Sequence, residues 1–179
     1  MGEFYSSKQI DFGFVVVCQN PNTGHLKTTV NSLRCNYGNR PFVTVVAEDM
    51  TGADLKDLRL GPVVKNEGSL ASQINTGIAE ATWKEWCMVI QAGTWVRGLL
   101  DVKLSCFIES SKDILFPVID RLTNFVDAGW NGLFIHRQAV KELGPFPENN
   151  PEEWCKLLWV TEAIHLGYKF KGIVGAAIR

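Results

Sequence analysis

The sequence lacks an excess of charge of either sign, and it lacks a long apolar run. Its 18 Lys and Arg residues nearly balance 19 Asp and Glu residues, which leaves a net charge of −1. No basic run is longer than a pair, so nucleic-acid binding through a basic surface is not indicated. The apolar runs fall short of the roughly 18 residues that a membrane-spanning helix needs, and no signal-peptide pattern opens the chain. We therefore expect no membrane span.

Paired cysteine and histidine motifs are also absent. The chain has no C-x-x-C pattern, and its histidines have no companions at the spacing of metal ligands. An odd number of cysteines, three of them in apolar surroundings, predicts free and mostly buried thiols, which suits a reducing cytoplasm. The five cysteines are Cys18, Cys35, Cys87, Cys106 and Cys155. No phosphate-binding loop and no nucleophile elbow appear either.

What the sequence has is an alternation of apolar strands and amphipathic helices in 179 residues. This order predicts one α/β domain over residues 12–179, a three-layer sandwich with a mixed, mostly parallel sheet, after a polar and flexible segment at 1–11. Predicted strands cover 12–18, 41–47, 61–65, 86–90, 105–109, 114–119, 132–135 and 168–174. Predicted helices cover 25–34, a stretch after Ser69, 96–104, 137–143 and 152–166, and residues 51–60 are predicted to form a short helix or a turn.

Polar residues follow the predicted strands at the places where open α/β sheets bind ligands. Gln19 follows the first strand, Glu48 and Asp49 follow the second, and Gln91 to Gly93 follow the fourth. The fourth strand is apolar at every position, as expected when helices cover both faces of the sheet. We therefore expect the functional site at residues 91–94 and the neighbouring strand ends.

Five motifs in order resemble the family 2 type of nucleotide-sugar glycosyltransferases, which have the GT-A fold. The first is a strand, polar loop and helix, and the second is a strand ending in an acidic pair followed by a Ser/Thr-Asp turn. The third is an Asn-x-Gly helix leading to a hydrophobic strand. The fourth is a strand and helix that in the family end in a Gly-Gly-Phe-Asp/Glu turn, and the fifth is an acidic helix leading to Gly-Tyr-Lys. In this chain they read FVVVCQNPNTGHLKTTVNSLR, PFVTVVAEDMTGAD, SLASQINTGIAEATWKEWCMVI, GLFIHRQAVKELGPFPE and PEEWCKLLWVTEAIHLGYKF.

The resemblance implies a nucleotide-diphosphate sugar as donor and a glycan or other molecule as acceptor. Gln19 with Glu48 or Asp49 would contact the base and ribose, because a carboxylate accepts from imide N–H and hydroxyl groups. The alternative is that the acidic pair solvates a strand end or caps a turn. Asn75 would hold the nucleotide or a nearby loop, and its alternative role is that of a helix N-cap.

One motif departs from the family. Its fourth strand ends in Asp-x-Asp, whose carboxylates hold a divalent cation against the diphosphate. Here the matching residues are Gln91, Ala92 and Gly93, which supply no carboxylate. No cofactor is therefore assigned, and Mn²⁺ or Mg²⁺ would bind only at a site rebuilt from other carboxylates such as Asp101 or Glu109.

The acceptor side and the catalytic base are assigned by the same resemblance. Glu152 and Glu153 are candidates for the general base that takes the acceptor proton, and their alternative is a first-turn role favoured by the helix dipole. Trp130 could stack on an acceptor sugar or simply pack in the core. His136 could lie near a phosphate, with an exposed surface position as its alternative.

Two functions remain open from the sequence. One is a glycosyltransferase-like enzyme that moves a sugar from a nucleotide-diphosphate donor. The other is an inactive protein of the same fold that binds a nucleotide, a glycan or a protein partner, which the missing carboxylates favour. A nucleotidyltransferase is less favoured, because no Gly-rich loop with Arg or Lys follows the first strand.

Overall fold

The fold was analysed on a computed structural model that describes residues 10–19, 22–38, 42–46, 58, 62–81, 84–98, 100–118 and 130–174. The predicted short helix or turn at 51–60 lies almost wholly outside these residues. The strands are β1 (Phe12–Cys18), β2 (Phe42–Val46), β3 (Val63–Lys65), β4 (Trp86–Gln91), β5 (Asp113–Val118), β6 (Phe134–His136) and β7 (Lys169–Val174). The helices are α1 (Thr23–Tyr37), α2 (Leu70–Glu80), α3 (Leu100–Phe107), α4 (Arg137–Leu143) and α5 (Glu152–His165).

The described strands form one sheet in the order β3-β2-β1-β4-β6-β5-β7. β1 is parallel to both β2 and β4, and β5 is parallel to β7. β6 runs antiparallel to β4 and to β5. The predicted mixed, mostly parallel α/β sheet is confirmed. Its two edges are called here the C-edge, where β1 and β4 end, and the N-edge, where they begin.

Helices cover both faces of the sheet and bury two separate cores. Along β1, Phe14 and Val16 belong to one core while Val15 and Val17 belong to the other, because successive side chains of a strand point to opposite faces. The first core includes residues of α1 and α3, and the second includes residues of α2, α4 and α5. A strand buried on both faces is therefore apolar throughout, as β1 is.

Helix α2 packs closely on the sheet because Gly77 faces it. A Cβ atom at Gly77 would lie 2.2 Å from Val15 Cγ1 and 3.0 Å from Val45 Cγ2. The helix begins at an N-cap, Ser69, whose side chain accepts a hydrogen bond from the amide of Ser72. Glycine at position 77 thus sets the distance between α2 and the two strands.

The predicted strand at 105–109 is wrong, because these residues end helix α3 and begin a turn. The turn is closed by the buried carboxylate of Asp113, whose Oδ2 accepts from the amides of Glu109 (2.6 Å) and Ser110 (2.9 Å). These amides therefore donate to a side chain and not to a neighbouring strand.

None of the described helices is both long and apolar enough to cross a membrane.

Candidate functional site

A cavity of about 130 Å³ opens at the C-edge, between the ends of β1 and β4. The strands are parallel and in register, with Val17 opposite Gln91, so their last residues meet at the same place. The cavity is lined by Val17, Cys18, Gln19, His25, Gln91 and Ala92. This is where α/β sheets bind ligands in general, and it contains part of the site predicted from the sequence.

The chain turns sharply after β4, and Gly93 makes the turn possible. Its φ of 99° lies in the left-handed region that glycine adopts without strain. The Gly93 amide donates to the carbonyl oxygen of His25 (3.0 Å) and to Thr29 Oγ1 (3.0 Å). The amide of Ala92 donates to the carbonyl oxygen of Val17 (2.8 Å). The turn after β4 is therefore held in place by hydrogen bonds that its amides donate to β1 and α1.

Polar side chains of α1 hold the residues that follow the turn. Thr29 Oγ1 donates to the carbonyl oxygen of Thr94 (2.9 Å), and Ser32 Oγ accepts from the amide of Val96 (3.0 Å). Asn36 Nδ2 donates to the carbonyl oxygen of Val96 (2.8 Å). These α1 residues recur at helical spacing and face the extended chain, so α1 fixes the path of residues 93–96.

Asn131 holds the same turn from the β6 side. Its Oδ1 accepts from the amide of Gln91 (3.0 Å), and its Nδ2 donates to Thr94 Oγ1 (3.0 Å). The amide side chain thus bridges the two ends of the turn. It positions Gln91 at the cavity without itself lining it.

The side chains at the cavity mouth offer N–H donors. Gln19, His25 and Gln91 each carry at least one, and no hydrogen bond within the described residues engages these three side chains. Cys18 is buried, which raises the pKa of its thiol, although a backbone hydrogen bond from Asn22 opposes the shift. A thiol with a raised pKa is a poor nucleophile at neutral pH. Because the N–H donors of Gln19, His25 and Gln91 are available, the cavity suits a ligand that is rich in hydrogen-bond acceptors.

The residues lining the cavity do not fit the divalent cation that the fold family implies. Mg²⁺ and Mn²⁺ prefer carboxylate and other hard oxygen ligands, and no carboxylate is found among the described residues that line the cavity. Within the described part of the chain, no three His, Cys, Asp or Glu side chains are grouped to hold a metal ion. Glu109, considered above as a replacement ligand, pairs instead with Lys171 (3.1 Å) beside β5 and β7 at the N-edge.

Of the predicted nucleotide-binding residues, the structure brings Gln19, Gln91 and Gly93 together at the C-edge. Glu48 and Asp49 lie outside the described residues. The backbone of Asp101 lies in the first turn of α3, and its side chain is also outside the described part.

Asn75 lies in the middle of α2, where it holds a loop. Its Nδ2 donates to the carbonyl oxygen of Phe146 (2.8 Å) and to Glu148 Oε1 (2.8 Å), and its Oδ1 accepts from the amide of Phe146 (2.8 Å). The alternative role as a helix N-cap is wrong, because Ser69 occupies that position. Asn75 thus fastens the loop between α4 and α5 to α2.

Trp130 lies in the core with only 1% of its surface exposed. Its ring packs edge-on against Phe146, with 4.5 Å between ring centroids, and Lys156 Nζ lies 5.4 Å from its centroid. Trp130 therefore packs in the core, which is the alternative to stacking on an acceptor sugar.

His136 lies at the N-edge, where it pairs with Trp86 at the start of β4. β6 runs antiparallel to β4, so the end of β6 lies far from the end of β4. Its Nδ1 accepts from the amide of Gln138 (3.1 Å), which makes it the N-cap of α4. Burial lowers the pKa of His136, Glu85 opposes this shift, and Arg137 adds to it. The expectation that His136 borders the site at Gln91 is therefore wrong.

The first turn of α5, with Glu152 and Glu153, lies toward the C-edge. β7 follows α5 and begins opposite Asp113 at the N-edge, so α5 runs from the C-edge back to the N-edge. The side chains of the two glutamates are outside the described part. Their assignment as the general base stays a prediction.

Sequence reasoning missed two residues of this site. The sequence shows His25 only as a histidine without companions at metal-ligand spacing, yet it lines the cavity from the first turn of α1. Its position directly after the loop that follows a buried strand could have indicated this. Asn131 had no such signal, because its partners Gln91 and Thr94 are 40 and 37 residues away in sequence.

No protein-family model matches the sequence, and a search of curated proteins finds no match. Solved structures do match the fold. The S. aureus TarS 1–349 structure in complex with UDP aligns with a TM-score of 0.66 at 14% identity, over 94% of this chain and 59% of TarS 1–349. The mannosyltransferase PcManGT from Pyrobaculum calidifontis, in complex with GDP-Man and Mn²⁺, aligns with a TM-score of 0.69 at 14% identity. That alignment covers 95% of this chain and 58% of PcManGT.

A structure of a cytidylyltransferase from Leptospira borgpetersenii also matches, with a TM-score of 0.66 at 12% identity, over 94% of this chain and 77% of that protein. At such low identities, the matches establish the fold and nothing finer. The chain has a GT-A-like fold and spans about three fifths of TarS 1–349 and of the mannosyltransferase.

Proposed function

We propose that this protein binds a nucleotide-diphosphate sugar at the C-edge cavity and transfers the sugar to an acceptor. The observation that carries the proposal is the position of the cavity, at the ends of β1 and β4 in a GT-A-like sheet. Neighbouring folds include a complex with UDP and a complex with GDP-Man, which supports a nucleotide-diphosphate ligand.

The proposal gives roles to residues on both sides of the cavity. Gln19, with Glu48 or Asp49, contacts the base and ribose, and Gln91 and Gly93 lie against the diphosphate. Asn75 acts indirectly, since it holds Phe146 and Glu148 in the loop before α5. Glu152 or Glu153, in the first turn of α5, is the candidate base for the acceptor hydroxyl.

A second candidate function is ligand binding without sugar transfer. It is favoured by the absence of carboxylates from Gln91, Ala92 and Gly93, because a transferase must stabilise the charge of the departing diphosphate. The two functions share the same binding site and differ in whether the bond between sugar and phosphate is broken.

Calorimetric titration with UDP, GDP and the corresponding nucleotide sugars tests the shared site, and release of free UDP or GDP from the sugar nucleotide tests transfer. We expect saturable binding of at least one nucleoside diphosphate. Gln91→Leu, which removes an amide but keeps the size of the side chain, should weaken that binding. Gln138→Leu at the N-edge is the matched control and should leave it unchanged.

The outcomes separate the two functions. Binding with release of the nucleoside diphosphate, abolished in a Glu152→Gln, Glu153→Gln double variant, supports transfer. Binding without release by the wild-type protein supports the binding-only function. Failure of every nucleotide and nucleotide sugar to bind would refute the cavity as a donor site.

A further inference from the structure

We infer that the C-edge cavity recognises the diphosphate directly, with His25 in the place that the fold family gives to a divalent cation. The inference rests on the proposed function, because it names the part of the nucleotide that this cavity contacts. It follows from a disagreement between the residues present and the metal that related folds bind.

The first observation is the donor set. A Mg²⁺ or Mn²⁺ site is built mainly from carboxylates and other hard oxygen ligands, whereas the described polar side chains that line this cavity are those of Gln19, His25 and Gln91. Amide and imidazole N–H groups donate hydrogen bonds to phosphate oxygens. His25 and Gln91 therefore suit a diphosphate bound without a bridging metal, while Gln19 stays with the base and ribose.

The second observation is the position of His25 relative to Gly93, the residue that matches the second aspartate of Asp-x-Asp. A Cβ atom at position 93 would lie 3.5 Å from His25 Cγ and 3.7 Å from His25 Nδ1. The imidazole thus lies over the turn where the aspartate side chain would start. The φ of 99° at Gly93 also disfavours any side chain at this position.

The third observation is that the backbone of His25 is held in place. Its amide donates to Asn22 Oδ1 (3.1 Å), and its carbonyl oxygen accepts from the amide of Gly93 (3.0 Å). The side chain itself is exposed and is not engaged by a hydrogen bond within the described residues. A fixed backbone with an available ring is the arrangement that a preorganised anion contact requires.

The test compares UDP with uridine, and GDP with guanosine, by calorimetry in EDTA and in Mn²⁺. Because the inference concerns the phosphates, His25→Ala should weaken binding of the diphosphate about tenfold, the effect of losing one charge-assisted hydrogen bond, and should leave nucleoside binding unchanged. His25→Lys restores an N–H donor and should recover most of the affinity. His165→Ala, which removes an exposed histidine of α5, is the matched control.

The wild-type protein should bind the diphosphate equally well in EDTA and in Mn²⁺. Binding that requires Mn²⁺, or equal affinity of the wild-type protein and His25→Ala, would overturn the inference while leaving the proposed donor site intact. If the wild-type protein binds no nucleotide at all, the proposed function fails and the inference fails with it. Circular dichroism and thermal unfolding of each variant show that the compared proteins are folded.

Discussion

The two edges of the sheet carry polar cavities of opposite character. The N-edge cavity is the larger, about 300 Å³ against about 130 Å³, and its lining includes Asp11, Glu85 and Glu109. Among the described residues that line the C-edge cavity there is no carboxylate, and the polar side chains of Gln19, His25 and Gln91 carry N–H donors. Cavity size alone would favour the N-edge as the ligand site. The C-edge is favoured instead because its polar side chains are not engaged by hydrogen bonds within the described residues.

At the N-edge the charges are used to hold the protein together. Lys171 Nζ lies 3.1 Å from Glu109 Oε2 and 3.2 Å from Asp113 Oδ1, and it donates to the carbonyl oxygen of Phe107 (2.9 Å). Lys84 pairs with Asp11. His136 caps α4, and its ring packs edge-on against Trp86. Polar groups with internal partners stabilise the fold, and those without them at the C-edge remain available to a ligand.

The largest effect is expected from breaking the charge network of the N-edge. Asp113→Asn should lower the free energy of unfolding by about 3 kcal/mol, because it leaves Lys171 without its buried partner. Urea denaturation measures this loss. Asp11→Asn, at an exposed ion pair, is the control and should cost about 0.5 kcal/mol or less. A change in UDP affinity of folded Asp113→Asn would contradict the separation of the two edges.

The next largest effect is expected where α2 packs on β1 and β2, midway between the two edges. Gly77→Ala should destabilise the protein by about 2 kcal/mol, since the new methyl group overlaps Val15 and Val45. The better helix propensity of alanine offsets only about 1 kcal/mol of that strain. Urea denaturation of the single variants and of Gly77→Ala with Val15→Ala forms a double-mutant cycle. Strictly additive effects in that cycle would show that the predicted overlap is absent.

A smaller effect on stability, with an effect on binding, is expected at the C-edge. Asn131→Ala removes hydrogen bonds to Gln91 and Thr94, so it should cost about 1.5 kcal/mol of stability and weaken UDP binding about fivefold. Asn36→Ala is the matched control, because Asn36 holds Val96, farther along the same segment. It should cost similar stability and leave affinity unchanged. Equal losses of affinity in the two variants would refute a local role for Asn131.

The smallest effect is a change of stability with pH that comes from the N-edge. Burial alone raises the pKa of Asp113, but hydrogen bonds from the amides of Glu109 and Ser110 and the charge of Lys171 outweigh it and leave the pKa below its usual value. A carboxyl group whose pKa is lower in the folded state stabilises the protein above its unfolded pKa, and this contribution is lost as pH falls through the folded pKa.

Unfolding free energies measured from pH 7 down to pH 3 should therefore fall more steeply for the wild-type protein than for Asp113→Asn. The difference between the two proteins should begin to shrink near pH 4, the region of the unfolded pKa of an aspartate. Parallel pH profiles would show that Asp113 is not the source of the acid sensitivity.

Strand and helix positions followed from the sequence where the local pattern was unambiguous. β1 was predicted with its observed bounds, because seven consecutive apolar residues suit a strand buried on both faces. Residues 105–109 were mispredicted as a strand, because the buried Asp113 that closes the turn cannot be recognised from hydropathy. The position of His136 was also mispredicted, since it depends on the antiparallel direction of β6, which no local pattern specifies.

The order of the elements, the burial of the sheet on both faces and the placement of Gln19, Gln91 and Gly93 at strand ends could all be predicted from the amino-acid sequence. These follow from apolar periodicity and from the direction of parallel strands, which are local properties of the chain. The contacts of His25 and Asn131 with the turn after β4 could be seen only in the folded chain. Their contacts join residues tens of positions apart, such as Asn131 and Gln91 at a separation of 40, and hydrogen bonds of that range depend on how the elements pack together.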